Sequence, residues 1–286
     1  MRVAVTGATG FTGRYLLPEL ATRGHVAFSL AADLTDPVAL AKAIEAGRPD
    51  AIIHLAARAF VNVADFDDFY AVNQVGSFNL LQAAANCSPG ARVILASTAQ
   101  VYGNQAQGLI TETQPVAPNN HYALSKAAME MGSRLWADRL RLMIVRPFNY
   151  TGVGQEVRYL VPKIVDHFRR RADTIELGNI DVRRDFGDVR SVVGAYAALL
   201  ESDNDLDVVN IATGSATSVR EVVYRLEAMT GHQIKVQVNQ QFIRANDVPM
   251  LAGNIGRLSI AAPDWRPRTL DDTLTWMVQS DNQRNH

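Results

Sequence analysis

The stretch VAVTGATGFTGRYLL, residues 3–17, decides how this chain folds. It opens with a short apolar run typical of a buried β-strand and closes inside a helical pattern, GRYLLPELATRG. Gly7, Gly10 and Gly13 lie between the two. Glycine is required where the backbone turns with positive φ and where the main chain must approach a diphosphate at a helix N-terminus. Strand, glycine turn and helix in this order predict a dinucleotide-binding turn, the alternative being a glycine-rich turn without a ligand.

Short apolar strands alternate with helical patterns through the first half of the chain. The later strand patterns are VAFSL, AIIHLA, RVILAS and LMIVRPF, and the helical patterns include DPVALAKAIEAG, FYAVNQVGSFNLLQAAANC and YALSKAAMEMGSRLWADRL. Asp36-Pro37 predicts a helix start, and Ser218 with Glu221 predicts a capping box. Strict alternation predicts parallel strands covered by helices on both faces. We therefore expect an α/β protein with a Rossmann-like, doubly wound parallel sheet.

The pattern becomes mixed after RPFN, residues 146–149. We expect helices near 158–171, 188–201 and 217–230, and strands near 174–177 and 207–211. These elements predict a dinucleotide-binding Rossmann domain over residues 1–150, to which segments near 178–212 return. Residues 151–286 are expected to form mainly a smaller, substrate-binding region. With no long linker or repeat between them, both parts are predicted to form one unit.

Composition excludes several classes of function. The chain has 286 residues, 48% of them hydrophobic and 20% charged, with a net charge of -1. This balance gives no electrostatic attraction to nucleic acid or to a membrane. The start MRVAVTGATG contains neither a signal-peptide core nor a membrane span, so we expect a cytoplasmic protein. The single cysteine, Cys87, excludes an intramolecular disulfide and is expected to be structural.

No cluster of histidine and acidic residues has the spacing of a metal site, so we predict no metal. His54 follows an apolar strand, and we interpret it as a hydrogen-bonded core histidine. His121 is interpreted as a helix-start residue.

HYALSK, residues 121–126, places Tyr122 and Lys126 one helical turn apart on the same face. A phenol with a pKa of about 10 exchanges protons poorly at neutral pH, and a nearby ammonium favours the phenolate. Such a pair suits proton transfer to a sugar oxygen while hydride moves to or from a cofactor. The spacing alone is common on surface helices. Ahead of it, however, the strand VILAS ends at Ser97 and Thr98, where open α/β sheets bind ligands and a hydroxyl can hydrogen-bond the reacting oxygen.

Four motifs together resemble the extended short-chain dehydrogenase/reductase family that acts on nucleotide sugars: TGATGFTG, HLAA (54–57), STAQVYG (97–103) and YALSK. The resemblance covers nearly the whole chain and implies that Thr98, Tyr122 and Lys126 are catalytic. It implies cofactor contacts from Gly7, Gly10, Phe11, Thr12, Gly13, Asp33, Leu34, Leu55, Ala56, Ala57, Asn73, Tyr122 and Lys126.

The cofactor is expected to be NAD or NADP. An acid at the end of the second strand would bind the ribose hydroxyls of NAD. Asp33 has about the right separation from Gly13, but it is equally suited to the adenine edge or to capping a turn. Arg14 is placed to reach a 2′-phosphate, the alternative being a solvated arginine. The choice between the two cofactors therefore stays open.

Three segments of the second half resemble the branch that contains GDP-mannose 4,6-dehydratase and GDP-4-keto-6-deoxymannose reductase. They are VRPFNYTGVGQ (145–155), LGNIDVRRDFGDV (177–189) and FIRANDVPMLAGN (242–254). The resemblance implies that Arg184 and Arg244 hold the substrate diphosphate, for which the planar guanidinium fork is suited. It implies substrate contacts from Asn149 and Thr98 as well. The role of Arg183 stays open.

The resemblance also narrows the reaction. Dehydratases of this branch carry an acidic residue just after the catalytic threonine, whereas this chain has Ala99 and Gln100. The cysteine and histidine pair of the epimerising reductases has no counterpart, since Cys87 lies in another segment. We therefore predict a reductase that takes GDP-4-keto-6-deoxy-D-mannose to GDP-D-rhamnose, or to its epimer GDP-6-deoxy-D-talose, with hydride from NAD(P)H and a proton from Tyr122.

Two alternatives stay open. An NAD-dependent nucleotide-sugar 4-epimerase needs the same threonine, tyrosine and lysine, and a dinucleotide-sensing binding protein needs only the fold.

The helices near 66–86 and 122–139 carry apolar residues beyond one narrow stripe, including Leu124, Ala128, Met131 and Leu135. In the extended family these two helices form a four-helix dimer contact, so we expect a homodimer.

Overall fold

The main sheet lies at the centre of the molecule. The computed structural model describes residues 1–59, 66–104, 107–204, 206–243 and 248–280. Within them, the strands of the main sheet are β1 (Arg2–Thr6), β2 (Val26–Ser29), β3 (Ala51–His54), β4 (Arg92–Ala96), β6 (Arg141–Pro147) and β11 (Val208–Ile211). They lie side by side in the order β11-β6-β4-β3-β1-β2, and every neighbouring pair is parallel. The predicted doubly wound parallel sheet is confirmed.

Helices cover both faces of this sheet. The α-helices of the described residues are α1 (Phe11–Thr22), α2 (Pro37–Gly47), α3 (Ser77–Cys87), α4 (His121–Ser133), α5 (Leu160–Arg169), α6 (Val189–Glu201), α7 (Val219–Thr230), α8 (Gly256–Ala261) and α9 (Leu270–Gln279). Of these, α5, α7 and α9 pack with one another away from the main sheet. On one face α1 packs against α6, and on the other α2 packs against α3, which contacts α4. Among the described residues, no helix combines the length and the apolar character needed to cross a bilayer.

Apart from the edge strand β2, the strands of the main sheet are largely buried on both sides, which explains why their sequences are almost continuously apolar. Val3 and Val5 pack into the core beneath α1 and α6, whereas Ala4 packs into the core beneath α2 and α3. Ile53 likewise packs into the core beneath α1 and α6, and Ile52 packs into the core beneath α2 and α3. Successive side chains of a strand point to opposite faces, so one short apolar run contributes to two cores.

The predicted caps are confirmed. The Asp36 carboxylate accepts hydrogen bonds from the amides of Val38 and Ala39, both at 3.0 Å, at the start of α2. At the start of α7, Ser218 Oγ accepts from the Glu221 amide at 3.0 Å, and Glu221 Oε2 accepts from the Ser218 amide at 2.7 Å. These reciprocal bonds satisfy amides that a helix N-terminus leaves without partners.

Small sheets lie beside the carboxyl ends of the main strands and are built mainly from the second half, with one strand, at residues 108–110, from the first. Their strands are β5 (Gly108–Ile110), β7 (Asn149–Thr151), β8 (Thr174–Leu177), β9 (Arg183–Arg184), β10 (Phe186–Asp188), β12 (Thr217–Ser218), β13 (Lys235–Val238) and β14 (Met250–Gly253). Side chains of α5, α7 and α9 form a separate core there, which includes Ile164, Leu226 and Leu274. The segment 189–211 returns to the first part, because α6 packs on α1 and β11 pairs with β6.

Two helices differ from their predicted form. The pattern near 66–86 predicted one regular helix, but residues Phe69–Gly76 form a π-helix that continues into α3. The helix predicted to reach residue 139 ends as α4 at Ser133, and Arg134–Trp136 form a 3₁₀ turn. A π-helix is rare and is usually stabilised by contacts outside the helix, which an apolar pattern does not reveal.

Candidate active site

The glycine turn joins β1 to α1, and its shape excludes other residues. Gly7 has a φ of 66°, and a Cβ at this position would lie 2.8 Å from the Ala56 amide nitrogen. A Cβ on Gly13 would lie only 2.4 Å from the Gly7 carbonyl oxygen. The Gly10 amide closes the turn by donating to the same Gly7 oxygen at 3.0 Å. The backbone therefore passes through a space in which a side chain at Gly7 or Gly13 would collide with main-chain atoms.

The N-terminus of α1 fits the diphosphate of a nicotinamide dinucleotide. Its first residues are Phe11 and Thr12. The first turn carries no acidic side chain, and the N-cap residue is Gly10, which has no side chain to cap the helix amides. The exposed amides and the positive end of the helix dipole suit an anion. Within the described residues, the buried Ser97 Oγ at the end of β4 has no hydrogen-bond partner. A buried hydroxyl of this kind is expected to bond a ligand.

The loop after β3 forms the wall opposite the glycine turn. The strands β1 and β3 are neighbours in the main sheet. β2 lies on the far side of β1, whereas β4, β6 and β11 lie on the far side of β3, so the strand order reverses between β1 and β3. Doubly wound sheets bind their ligands in the crevice at such a point. The loop carries Leu55, Ala56 and Ala57, and the Ala56 amide donates to Thr6 Oγ1 at 3.1 Å. The expected cofactor loop is therefore tied directly to the strand that enters the glycine turn.

Asn73, in the π-helix, supports this loop with its whole side-chain amide. Asn73 Oδ1 accepts from the Arg58 amide at 2.8 Å, and Nδ2 donates to the Arg58 carbonyl at 2.9 Å and to Ser125 Oγ at 3.0 Å. The side chain is fully buried. Its contacts are with the protein, and a direct contact between Asn73 and the cofactor stays a prediction.

Asp33 and Leu34 follow β2. The Asp33 carboxylate accepts from the amide and the hydroxyl of Thr35, at 2.8 and 2.7 Å, and these bonds lower its pKa below the ordinary value. Asp33 therefore caps a turn, and its contact with a ribose stays a prediction. Leu34 is buried against Gly76 at the end of the π-helix. Arg14 lies near the Gly154 carbonyl, with 3.4 Å between nitrogen and oxygen.

The three candidate catalytic residues meet where β4 ends and α4 begins. Asn120 starts α4 by accepting the Ala123 amide on its side chain at 2.8 Å, which places Tyr122 in the first turn. Lys126, one turn later, is 1% exposed and donates from Nζ to the Ala96 carbonyl at 2.7 Å. Thr98 follows that carbonyl by two residues and interacts with the Tyr122 phenol through its hydroxyl.

Burial shifts the titration of this pair. Burial raises the pKa of the Tyr122 phenol above 10.0 and outweighs the interaction with Thr98, which lowers it. The sequence predicted the opposite direction from the nearby ammonium, and that prediction is wrong for the protein without cofactor. Burial also lowers the pKa of Lys126 from 10.5 to about 8, although the Glu130 carboxylate one turn further raises it. A neutral phenol is thus the stable form at neutral pH.

The two adjacent arginines of the second half differ in their surroundings. Arg183 forms an ion pair with Glu221 at 3.2 Å and donates to the Ala216 carbonyl at 2.9 Å. Its charge is therefore compensated within the protein. Arg184 donates to the Arg183 carbonyl at 2.9 Å and to the Val248 carbonyl at 2.6 Å. Arg244, predicted to bind the same diphosphate, lies outside the described residues.

Asn149, also predicted to contact substrate, is exposed at the start of β7, which pairs with β10. The next residue, Tyr150, was not singled out from the sequence. Its hydroxyl lies 2.8 Å from Thr12 Oγ1, and its ring stacks on Phe11 at 6.2 Å between centroids. Tyr150 therefore connects the glycine turn to the second half, and only its position beside Asn149 could have indicated this.

Sequence reasoning also missed Asp185, which is fully buried. Its carboxylate accepts from the amides of Thr213 and Gly214, at 2.9 and 3.1 Å, and from the Thr213 hydroxyl. Asp185 therefore links the segment next to Arg184 to the loop at residues 213–214. Its place in the RRDF segment was the available signal.

The two histidines match their interpretations. His54 is buried and hydrogen-bonded to Thr6 and Ser77, and His121 is the first residue of α4. The residues that the structure describes contain no group of three or more histidine, cysteine or acidic side chains that could hold a metal ion.

Comparison with known proteins identifies the family. GDP-6-deoxy-D-talose 4-dehydrogenase from Aggregatibacter actinomycetemcomitans is 35% identical over 275 residues, which cover 93% of each chain. GDP-6-deoxy-D-mannose reductase from Pseudomonas aeruginosa is 30% identical over 282 residues, covering 93% of this chain and 92% of that one. The structure of RMD from Pseudomonas aeruginosa complexed with NADPH has a TM-score of 0.88 at 28% identity and covers 97% of this chain and 98% of its own. Residues 3–212 match the NAD dependent epimerase/dehydratase family. The chain therefore belongs to this family and is an enzyme that uses a nicotinamide dinucleotide, NAD or NADP.

Proposed function

We propose that this enzyme reduces a nucleotide-linked 4-keto-6-deoxy sugar, GDP-4-keto-6-deoxy-D-mannose, to GDP-D-rhamnose or to its C4 epimer GDP-6-deoxy-D-talose. The observation that carries the proposal is the composition of the candidate site. Tyr122, Lys126 and Thr98 lie together, and the two residues after the threonine are Ala99 and Gln100. The site therefore contains the groups for proton transfer at an oxygen, without the adjacent carboxylate that loss of water from the sugar requires.

The names of the two relatives support one common substrate. D-talose and D-mannose differ only in the configuration at C4, and D-rhamnose is 6-deoxy-D-mannose. Oxidation of either 6-deoxy sugar at C4 gives the same 4-ketone. A 4-dehydrogenase of the talose compound and a reductase that forms the mannose compound therefore share this ketone, which is why we assign it to this chain.

The residues of the site suit reduction of a ketone. When bound, the reduced nicotinamide supplies the hydride. A phenol with the ordinary pKa of about 10 is neutral at pH 7, and burial raises the pKa of Tyr122 further. It therefore holds the proton that the oxygen at C4 receives. The Thr98 hydroxyl hydrogen-bonds the same oxygen and orients it, and the Lys126 ammonium stabilises the phenolate left behind.

The second half supplies the groups for the nucleotide. Arg184 lies on β9 beside the carboxyl ends of the main strands and is held by two backbone carbonyls, which fixes the direction of its guanidinium. A guanidinium in a fixed orientation can donate paired hydrogen bonds to a diphosphate. Arg244 and Asn149 are proposed to contact the same substrate.

The test mixes the purified protein with GDP-4-keto-6-deoxy-D-mannose and NADPH or NADH and follows the absorbance of the reduced nicotinamide. Tyr122→Phe removes the proton donor and should slow turnover by about 10²- to 10⁴-fold. Tyr224→Phe, at an exposed tyrosine on α7, is the matched control and should keep the wild-type rate. NMR of the product gives the configuration at C4.

The outcome separates the alternatives. Rapid consumption of the reduced cofactor, lost in Tyr122→Phe but not in Tyr224→Phe, supports the reductase. If neither reduced cofactor is consumed, this substrate assignment fails. Protein that copurifies with oxidised NAD and interconverts two sugars without added reductant would then be a 4-epimerase, for which Tyr122→Phe must also be inactive. A binding protein would keep its cofactor affinity and its function in Tyr122→Phe.

A further inference from the structure

A continuous chain of buried hydrogen bonds links the end of β1 to the start of α4. Its side chains, which we call the His54 chain, are Thr6, His54, Ser77, Asn73 and Ser125. Each of them is at most 2% exposed. The chain ends on the Tyr122 carbonyl, which accepts from Ser125 Oγ at 2.8 Å.

The protons of the His54 chain can be assigned from the Ser77 end. Ser77 Oγ lies 2.7 Å from the Asn73 carbonyl, which can only accept, so the hydroxyl proton lies there. The 2.9 Å bond between His54 and Ser77 must then be donated by His54 Nε2. Burial and the Lys126 charge lower the pKa of His54 to about 3, so the ring is neutral and Nδ1 carries no proton. Nδ1 therefore accepts from the Thr6 hydroxyl at 2.7 Å.

In the part of the His54 chain formed by Asn73 and Ser125, every side-chain donor has an acceptor. The Asn73 amide is oriented by the Arg58 backbone, which donates its N–H to Oδ1 and accepts from Nδ2. The remaining Nδ2 proton goes to Ser125 Oγ, at 3.0 Å, and the Ser125 proton goes to the Tyr122 carbonyl. All bonds thus have one consistent direction, and a buried network of this kind holds its members in one arrangement.

The His54 chain is hydrogen-bonded to the loop of residues 55–58 at two points. Thr6 accepts the Ala56 amide at 3.1 Å, and Asn73 binds the Arg58 amide and carbonyl. The same chain is bonded to the backbone of Tyr122 on α4. The loop wall and the candidate proton donor belong to different segments of the sequence, and His54 is the link between them.

We propose that His54 is a positioning residue that, through this chain, fixes the loop of residues 55–58, the proposed wall of the cofactor cleft, at a set distance from the Tyr122 phenol. His54 is fully buried and both of its ring nitrogens are bonded within the protein, so the proposed role is indirect. The kinetic part of the inference rests on the proposed function. A displacement of about 1 Å between reacting groups costs on the order of 100-fold in rate, so a loosened chain should lower kcat.

The α4 helix offers a matched pair of serines for the test. Ser125 and Ser133 are both buried, and each donates from Oγ at 2.8 Å to the carbonyl three residues earlier. Ser125 also accepts from Asn73, whereas Ser133 is not a member of the His54 chain. Ser125→Ala should lower kcat by roughly 10- to 100-fold with little change in KM. Ser133→Ala should keep the wild-type kcat.

Thr6 provides a test with rescue at the other end. Thr6→Val keeps the shape of the side chain and removes its hydroxyl, and Thr6→Ser restores the hydroxyl. Thr6→Val should lower kcat like Ser125→Ala, and Thr6→Ser should recover most of it. Hydrogen exchange of the Arg58 amide gives a readout without substrate. It should become about 10-fold faster in Thr6→Val, because this change removes both the bond from the Ala56 amide and the bond to His54, through which the loop is attached to the rest of the chain.

The results decide between positioning and local packing. Lower kcat in Thr6→Val and Ser125→Ala, with faster exchange at Arg58, recovery in Thr6→Ser and a normal Ser133→Ala, supports the inference. Equal losses in Ser125→Ala and Ser133→Ala, or unchanged exchange at Arg58 in Thr6→Val, would overturn it. If the wild type does not turn over the keto sugar, the proposed substrate fails, and the exchange of the Arg58 amide in the same variants still decides the role of the chain.

Discussion

Replacing Lys126 with methionine should make the folded protein more stable at neutral pH, although it removes a candidate catalytic group. Lys126 is 1% exposed, and burial lowers its pKa from 10.5 to about 8. This difference of about 2.5, at about 1.4 kcal/mol for each pKa unit, means that keeping the ammonium buried at pH 7 costs about 3 kcal/mol. Methionine has a similar length and no charge. The lost hydrogen bond to the Ala96 carbonyl, at 2.7 Å, offsets about 1 kcal/mol of the gain.

The pH dependence gives the sharper test of this reasoning. The folded pKa of Lys126 lies below the unfolded one, so between about pH 8 and 10.5 the unfolded chain binds a proton that the folded protein does not. The destabilising contribution of Lys126 must therefore become smaller as the pH rises through this window. The cost of the buried ammonium falls from about 3 kcal/mol at pH 7 to about 1 kcal/mol at pH 9.5. The advantage of Lys126→Met should shrink by about 2 kcal/mol over the same interval.

The assay is urea denaturation of the cofactor-free protein at pH 7 and pH 9.5, followed by tryptophan fluorescence. Other titrating groups are common to wild type and variant, so they cancel in the difference of the two free energies of unfolding. Lys42→Met, at an exposed lysine of α2, controls for the loss of one charge. A difference between wild type and Lys126→Met that is the same at both pH values would refute the assignment of a buried, destabilised ammonium.

Three further outcomes are expected. Glu130→Gln leaves the buried Arg146 guanidinium, now 2.5 to 3.2 Å from the Glu130 carboxylate, without its counter-charge, and should lower the free energy of unfolding by about 3 to 5 kcal/mol in urea denaturation. Gly13→Ala places a Cβ 2.4 Å from a backbone oxygen of the glycine turn and should weaken NADPH binding, measured by fluorescence titration, by roughly 10- to 100-fold. We also propose a homodimer formed through α4 and the 3₁₀ turn that follows it, where Met131 and Leu135, respectively, are 74% and 80% exposed, so Leu135→Glu should give monomer by light scattering at dilutions where wild type is still dimeric.

The parts of the fold that could be predicted from the sequence are those set by neighbouring residues. The apolar strands, the glycine turn and the caps at Asp36 and Ser218 depend on side chains within a few positions of one another, so their patterns are visible in the sequence. The presence of Thr98, Tyr122 and Lys126 in one place follows from the topology, because strand ends and helix starts meet at one edge of the sheet.

The π-helix of residues 69–76 could not be predicted in this way. Its side chain Asn73 bonds to Arg58 and Ser125, which are 15 and 52 positions away. The apolar periodicity of the segment is equally compatible with a regular helix, and it does not reveal these distant partners. The same holds for Asp185, whose partners on the loop at 213–214 are invisible in the RRDF motif.

Burial shifts the pKa values of the two candidate catalytic groups, Tyr122 and Lys126, in opposite directions. It disfavours every charged form, so it raises the pKa of the Tyr122 phenol and lowers that of the Lys126 ammonium. The sequence shows the two side chains as neighbours and suggests attraction between charges, but it does not show that both are removed from water. The resting site therefore keeps its proton on the phenol. Ketone reduction requires that state at the outset, whereas oxidation of the alcohol must first remove the same proton from a buried oxygen.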